Sequence, residues 1–194
     1  MGSQLERHPR HLAVIAAACT AAPSSEESTI RSVVVFSVIS EPEESVRFVS
    51  LQHIFEPDTT REELVNRLAF SIPLGATVMV GQGDDRSGAL EQGANSERSE
   101  DQDILDLLGR ARPDLQRVSL DGQSAYLDEV AAAYSLQRAG PAASDLMRVR
   151  HLPVDAQCLW LLYLWAHCHD REREWLISGW LAWRALQKAA SYTG

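Results

Sequence analysis

Between residues 158 and 165 the chain reads Cys-Leu-Trp-Leu-Leu-Tyr-Leu-Trp, and this run constrains the fold more than any other stretch. At helical period it leaves no polar face, so the helix it forms is covered on most sides and the other elements pack around it. The run is preceded by His151-Leu-Pro-Val-Asp155, which sets one carboxylate at the mouth of a buried helix. Pro153 suits a first helical position, and an acidic residue two places later is stabilised by the helix dipole. On that reading the helix begins at Pro153, Asp155 is a helix-start acid, and His151 is an exposed residue flanking it. The other reading makes Asp155 the remnant of a functional site.

The 194 residues suffice for one domain, residues 1–194, with a full core between a sheet and several helices. A formal charge of −9 argues against general affinity for nucleic-acid backbone, because phosphate binding is driven by clustered Lys and Arg; a local basic groove remains compatible with it. Cys19, Cys158 and Cys168 form no Cys-x-x-Cys pair, and an odd count is poor material for a disulfide framework, so all three are expected to be reduced. Arg7 and Arg10 followed by the apolar residues 12–22 imitate a signal peptide. The run is alanine-rich, however, and Glu6 interrupts its basic start, so it is expected to stay in a cytoplasmic protein as a central strand. No other segment approaches the ~18 apolar residues of a membrane span, and no membrane association is expected.

Residues 12–19 read as a short apolar strand, and residues 32–40, with Val-Val-Val-Phe-Ser-Val-Ile, form the clearest strand of the chain. Residues 46–55 alternate imperfectly, and the short Pro-containing link makes them an antiparallel neighbour of the preceding run. Asp58-Thr59-Thr60-Arg61-Glu62-Glu63 is a helix start, with Leu64, Val65, Leu68 and Ala69 as its buried stripe. Pro73-Leu74-Gly75 ends it, and residues 76–80 are a strand covered on both faces. Residues 81–99, rich in Gly, Ser, Asn and Glu, read as a flexible loop. A helical turn at 103–108, an extended piece at 115–120 and an amphipathic helix at 124–136, with Leu127, Val130, Ala131 and Tyr134 inward, lead to Gly140-Pro141 and the buried helix. A last helix over about 172–190 presents Leu176, Trp180 and Trp183 on one stripe, with Trp175 pointing elsewhere; such a stripe is core or partner surface rather than a base-stacking platform. His167 and His169 flank Cys168 but point apart on a helix, so they make no metal site.

The order of these elements, with an aspartate near the start of the closing helix, resembles the ribonuclease H-like fold: a mixed sheet of three antiparallel strands followed by parallel strands, flanked by helices and with a helical C-terminus. The details resemble the DEDD-type 3′-5′ exonucleases, most of all those similar to the proofreading domains of family B DNA polymerases. Asp103-Ile-Leu-Asp106-Leu-Leu is similar to that group's segment after its second motif, Val118-Ser-Leu and Leu127-Asp-Glu-Val-Ala to its Ser-Leu-Asp-Glu-Val-Ala helix, and His151-x-x-x-Asp155 to its closing motif. The resemblance implies carboxylates from several elements holding two divalent ions, Mg2+ or Mn2+, that activate a water and stabilise the leaving 3′ oxygen. The first strand of the family supplies an Asp and a Glu two residues apart. Here those places fall on Ala16 and Ala18, or in another frame on Ser37 and Ile39.

Asp84 or Asp85 stands where the second-motif aspartate is expected, although Asp beside Gly is also a plain turn. Two functions follow. One is a degenerate, catalytically inactive exonuclease-like domain that binds a protein or nucleic acid and needs no cofactor, with Asp155, His151 and Asp85 as remnant positions. The other is an active metal-dependent nuclease using Asp155 and Asp85 as metal ligands, with Asp103 or Asp106 beside them. The missing acidic pair favours the first, because fewer carboxylates hold two divalent ions less well. Oligomeric state stays open.

Overall fold

The computed structural model describes residues 9–21, 28–41, 45–56, 58–80, 100–118, 126–140 and 143–191. Val33, Val34, Val35 and Phe36 are successive and all fully buried, which a strand achieves only when both of its faces are covered. They belong to β2 (Ser28–Glu41), which lies between β1 (His11–Ala21) and β3 (Ser45–Ile54), antiparallel to each. β4 (Thr77–Val80) runs parallel to β1, and β5 (Gln116–Val118) parallel to β4. The result is one mixed sheet in the order β3-β2-β1-β4-β5, with the expected N-terminal strand in the middle. The loop expected at 81–99 and the start of the helix expected at 124 lie outside the described residues.

Side chains alternate along the pleat, so the sheet has two cores. Ala13, Ile15, Val33 and Val35 face α1 (Arg61–Ser71) and α2 (Glu100–Ala111), together with Leu64, Val65, Leu68 and Leu108. Leu12, Val14, Ala16, Val34, Phe36 and Phe48 face α3 (Leu127–Ala133), α4 (Asp145–His167) and α5 (Asp170–Ser191). Within the helix start expected at residues 58–63, Thr60 is the residue that caps α1, accepting from the Glu63 N–H at 3.2 Å. The other end of α1 is closed by Arg112, which donates to the carbonyls of Ala69, Ile72 and Pro73 at 2.6, 3.1 and 3.0 Å. Asp114 holds that guanidinium with both oxygens at 2.8 Å and accepts from the Gly75 N–H, also at 2.8 Å. Gly75 has φ +65°, a conformation that side-chain-bearing residues rarely adopt.

The buried run lies in α4 as anticipated, with positions 156–164 all buried, but α4 begins at Asp145 and not at Pro153. Pro153 therefore stands inside the helix, where it cannot donate to the carbonyl four residues back. That carbonyl, Val149 O, instead accepts from Gln52 Nε2 of β3 at 2.9 Å, and the same amide donates to Ser32 Oγ at 3.1 Å. The sequence hides this arrangement because the rescuing donor is about a hundred residues away. One turn on, Gln157 Nε2 donates to the Pro153 carbonyl at 3.0 Å, and Gln157 Oε1 accepts from Trp180 Nε1 at 3.1 Å. α5 starts two residues earlier than expected. It presses on β3 so closely that a β-carbon at Gly179 would lie 2.6 Å from Val46 Cγ1. Leu176 and Trp180 are fully buried, and Trp183 packs 5.8 Å from both Phe36 and Phe48, so the expected stripe is core. Among the described residues no helix is long and apolar enough to cross a membrane.

Candidate functional site

Because α4 starts eight residues before Pro153, Asp155 sits in its third turn and gains nothing from the helix N-terminus. Its reading as a helix-start acid is thereby corrected, and its carboxylate needs another partner. Arg138, in the connector after α3, supplies it: Nε donates to Asp155 Oδ1 at 2.7 Å, and Nη1 to Asp128 Oδ1 of α3 at 2.5 Å. The Arg138 side chain is 11% exposed and that of Asp155 23%, whereas Asp128 is open to solvent at 67%. Burial pulls the Arg138 pKa down, but the hydrogen bonds and charges of Asp155 and Asp128 outweigh it and hold the guanidinium above its ordinary value. It is a permanent internal cation.

His151, one turn before Asp155 and on the same side of the helix, was expected to flank α4 and lies within it, half-buried. Its Nδ1 donates to the Gln137 carbonyl at 2.7 Å, which fixes the ring against the same connector that carries Arg138. The α3–α4 connector is thus tied to α4 at two successive turns. Cys158 lies beneath, and burial above all pushes its thiol up to about 12 while Arg138 pulls the other way, so it is an inert thiol at neutral pH. Cys168 is held at about 12 for the same reason, and both are free, as expected for reduced cysteines.

The other candidate positions divide by face. Ala16 and Ala18 lie on the α4 side of β1, Ala16 buried and Ala18 packed against the same core. Ser37 and Ile39 fall on the opposite side of β2, with the pleat of Val33 and Val35. Asp106 belongs to α2, also on that opposite side, and pairs with Arg117 at 2.9 Å. Asp103 lies one turn earlier on the same helix. Asp106 does not converge with Asp155, because the sheet stands between them. Asp84 and Asp85 lie outside the described residues.

Two divalent ions do not fit the donors found among the described residues. Ala16 and Ala18 offer no oxygen, Asp155 already carries a guanidinium, and among the described residues no three His, Cys, Asp or Glu side chains gather as ligands. A second polar pair, Ser71 Oγ and His53 Nε2 at 2.8 Å, has the composition of a nucleophile and its base. The Ser71 hydroxyl already donates to the Arg67 carbonyl at 3.1 Å, so the ring serves as donor to Ser71 and the pair ties β3 to α1.

Arg138 escaped the sequence reading. The signal available for it was indirect: a carboxylate deep in a buried helix requires a cation, and Arg138 is the charge nearest that helix in the preceding connector. Compared with known proteins, the chain matches no family model, no curated protein and no solved structure.

Proposed function

We propose that the chain is a ribonuclease H-like domain related to the DEDD exonucleases that has lost metal-dependent cleavage and acts as a binding module, with a protein as its partner. The observation that carries this reading is the Arg138 clasp on Asp155. In a two-metal nuclease the closing aspartate must be free to meet a divalent ion. Here a tethered guanidinium neutralises it at no cost in ion binding, and alanines line the facing strand where carboxylates would be needed. The strand order β3-β2-β1-β4-β5, antiparallel then parallel, supports the fold part of the reading.

Charge favours a protein over a nucleic acid. The Arg138 guanidinium is engaged by two carboxylates, and the chain as a whole carries −9, which disfavours a phosphodiester backbone as the ligand. The test is to incubate the purified chain with end-labelled single-stranded DNA and RNA in Mg2+ or Mn2+, and separately to titrate the same oligonucleotides by fluorescence anisotropy. We expect neither shortening nor saturable binding. Processive 3′-end shortening that vanishes in Asp155→Ala would overturn the inactive reading. Salt-sensitive binding without cleavage would move the partner to nucleic acid.

A further inference from the structure

Among the described residues three arginines lie over aromatic rings: Arg67 over Phe55 at 5.7 Å, Arg173 over Trp165 at 3.9 Å and Arg184 over Trp180 at 5.0 Å. A ring attracts a guanidinium through its negative face but leaves the N–H donors without acceptors. In two of the three a carboxylate takes those donors, Glu63 on Arg67 and Asp170 on Arg173. Arg184 has its ring and, among the described residues, no carboxylate and no hydrogen-bond acceptor.

Burial gives the same contrast. Arg112, Arg138, Arg173 and Arg184 are the half-buried arginines among the described residues. Arg112 is bound by Asp114, Arg138 by Asp155 and Asp128, and Arg173 by Asp170, which leaves Arg184 without an anion. Burial lowers its pKa, and the only group acting in the other direction is Cys158. That thiol, pushed up to about 12, is uncharged at neutral pH. The guanidinium keeps its charge all the same, so a cation stands partly withdrawn from water with nothing opposite it. Such an arrangement costs free energy that an arriving anion returns.

The ring beneath it is fixed. Trp180 is fully buried, donates to Gln157 and meets Tyr134 edge-on at 5.6 Å, so Arg184 rests on a rigid base on the α3–α4–α5 side of the sheet. We propose that Arg184 is a receptor for a single carboxylate, the side chain of an Asp or Glu on a binding partner, which completes over Trp180 the arrangement that Asp170 completes over Trp165. A planar carboxylate matches the donor fork of a guanidinium, and the chain's charge of −9 disfavours a multiply charged phosphate in its place. The source of the carboxylate rests on the protein-partner reading given above.

Proton–nitrogen correlation spectra of the full-length chain test the site. The Arg184 Nε–H and Trp180 indole resonances are followed while capped glutamate, its neutral glutamine counterpart or inorganic phosphate is added at constant ionic strength. Saturable movement of both resonances with the glutamate probe alone is expected. Arg184→Met should abolish the response of the Trp180 indole, and Arg184→Lys, which keeps the charge but not the fork, should weaken it several-fold. Should Arg184→Met fail to fold, Arg184→Lys carries the comparison. No movement with the glutamate probe, equal movement with glutamine, a response to phosphate alone, or an undiminished response in the variants overturns the proposal, and none of these touches the protein-partner reading, which stands on the oligonucleotide titration. A glutamate response in a chain that also binds oligonucleotides supports the site and retires that reading.

Discussion

The α1–α2 face of the sheet and the α4–α5 face treat polar groups in opposite ways. On the first, the packed side chains are almost all aliphatic, and the strong ionic cluster, Arg112 with Asp114, lies at the rim, where it closes the end of α1. On the second, Phe36, Phe48, Trp160, Trp180 and Trp183 form a continuous aromatic core with ring centroids 5.5 to 6.2 Å apart. Polar groups penetrate that core: Gln157 joins Trp180 to the Pro153 carbonyl, Gln52 reaches Val149, and Arg138 binds Asp155. Aliphatic packing tolerates exchange of shape, whereas buried polar pairs fail when either member is lost. The second face is therefore the more specified of the two, and Asp155, His151 and Arg138 lie on it.

Four measurements break or sharpen that contrast. Trp180→Ala should lose about 3–5 kcal/mol in denaturant unfolding, through its cavity and the orphaned Gln157 oxygen. Leu68→Ala, equally buried on the aliphatic face, should lose less by about 1 kcal/mol, the value of the missing hydrogen bond. An equal or larger loss for Leu68→Ala would erase the distinction.

Arg138→Met leaves the part-buried Asp155 without its cation and should cost about 2–3 kcal/mol, below the range for fully buried pairs because Asp155 is partly solvated. Adding Asp155→Leu should recover most of that loss. A double variant no more stable than the single one would mean that the clasp is not the reason the arginine is needed. Asp155→Ala alone should exceed the few tenths to ~1 kcal/mol expected of a helix-start acid, since it strips a buried guanidinium of one carboxylate.

Gln52→Leu should cost about 1–2 kcal/mol by stranding the Val149 carbonyl that Pro153 cannot serve. Pro153→Ala in the same chain restores the N–H four residues on, so the double variant should return close to the parent. Additive losses would show that Gln52 matters for another reason.

The smallest effect belongs to the rim of the first face. Arg112, and after it the Gly75 N–H, hold the Asp114 carboxyl well below the usual carboxylate range. A group whose folded pKa is depressed contributes stability above its unfolded pKa and loses it as pH falls through the folded one. The deficit of Asp114→Asn relative to the parent should be constant above about pH 5 and shrink progressively below about pH 4. A deficit that does not change with pH would place the role of Asp114 in its shape rather than its charge.

Sequence alone determined the elements whose cause is local. The β-branched run of β2, the helix start before α1, the burial of residues 156–164 and the Leu176–Trp180–Trp183 stripe all follow from side-chain chemistry at fixed spacing. Only the tertiary structure decided where α4 begins, because Pro153 signals a helix start unless a distant donor satisfies Val149, and Gln52 on β3 is that donor. The same holds for the site. The spacing of His151 and Asp155 was visible in the chain, but the cation between Asp155 and Asp128 comes from a connector whose path no local pattern encodes. Along the sequence Asp106 could stand beside Asp155 in one ligand set, yet α2 and α4 pack on opposite faces of the sheet and keep the two apart. Spacing fixes which residues share an element; the packing of elements against one another fixes which charges can meet.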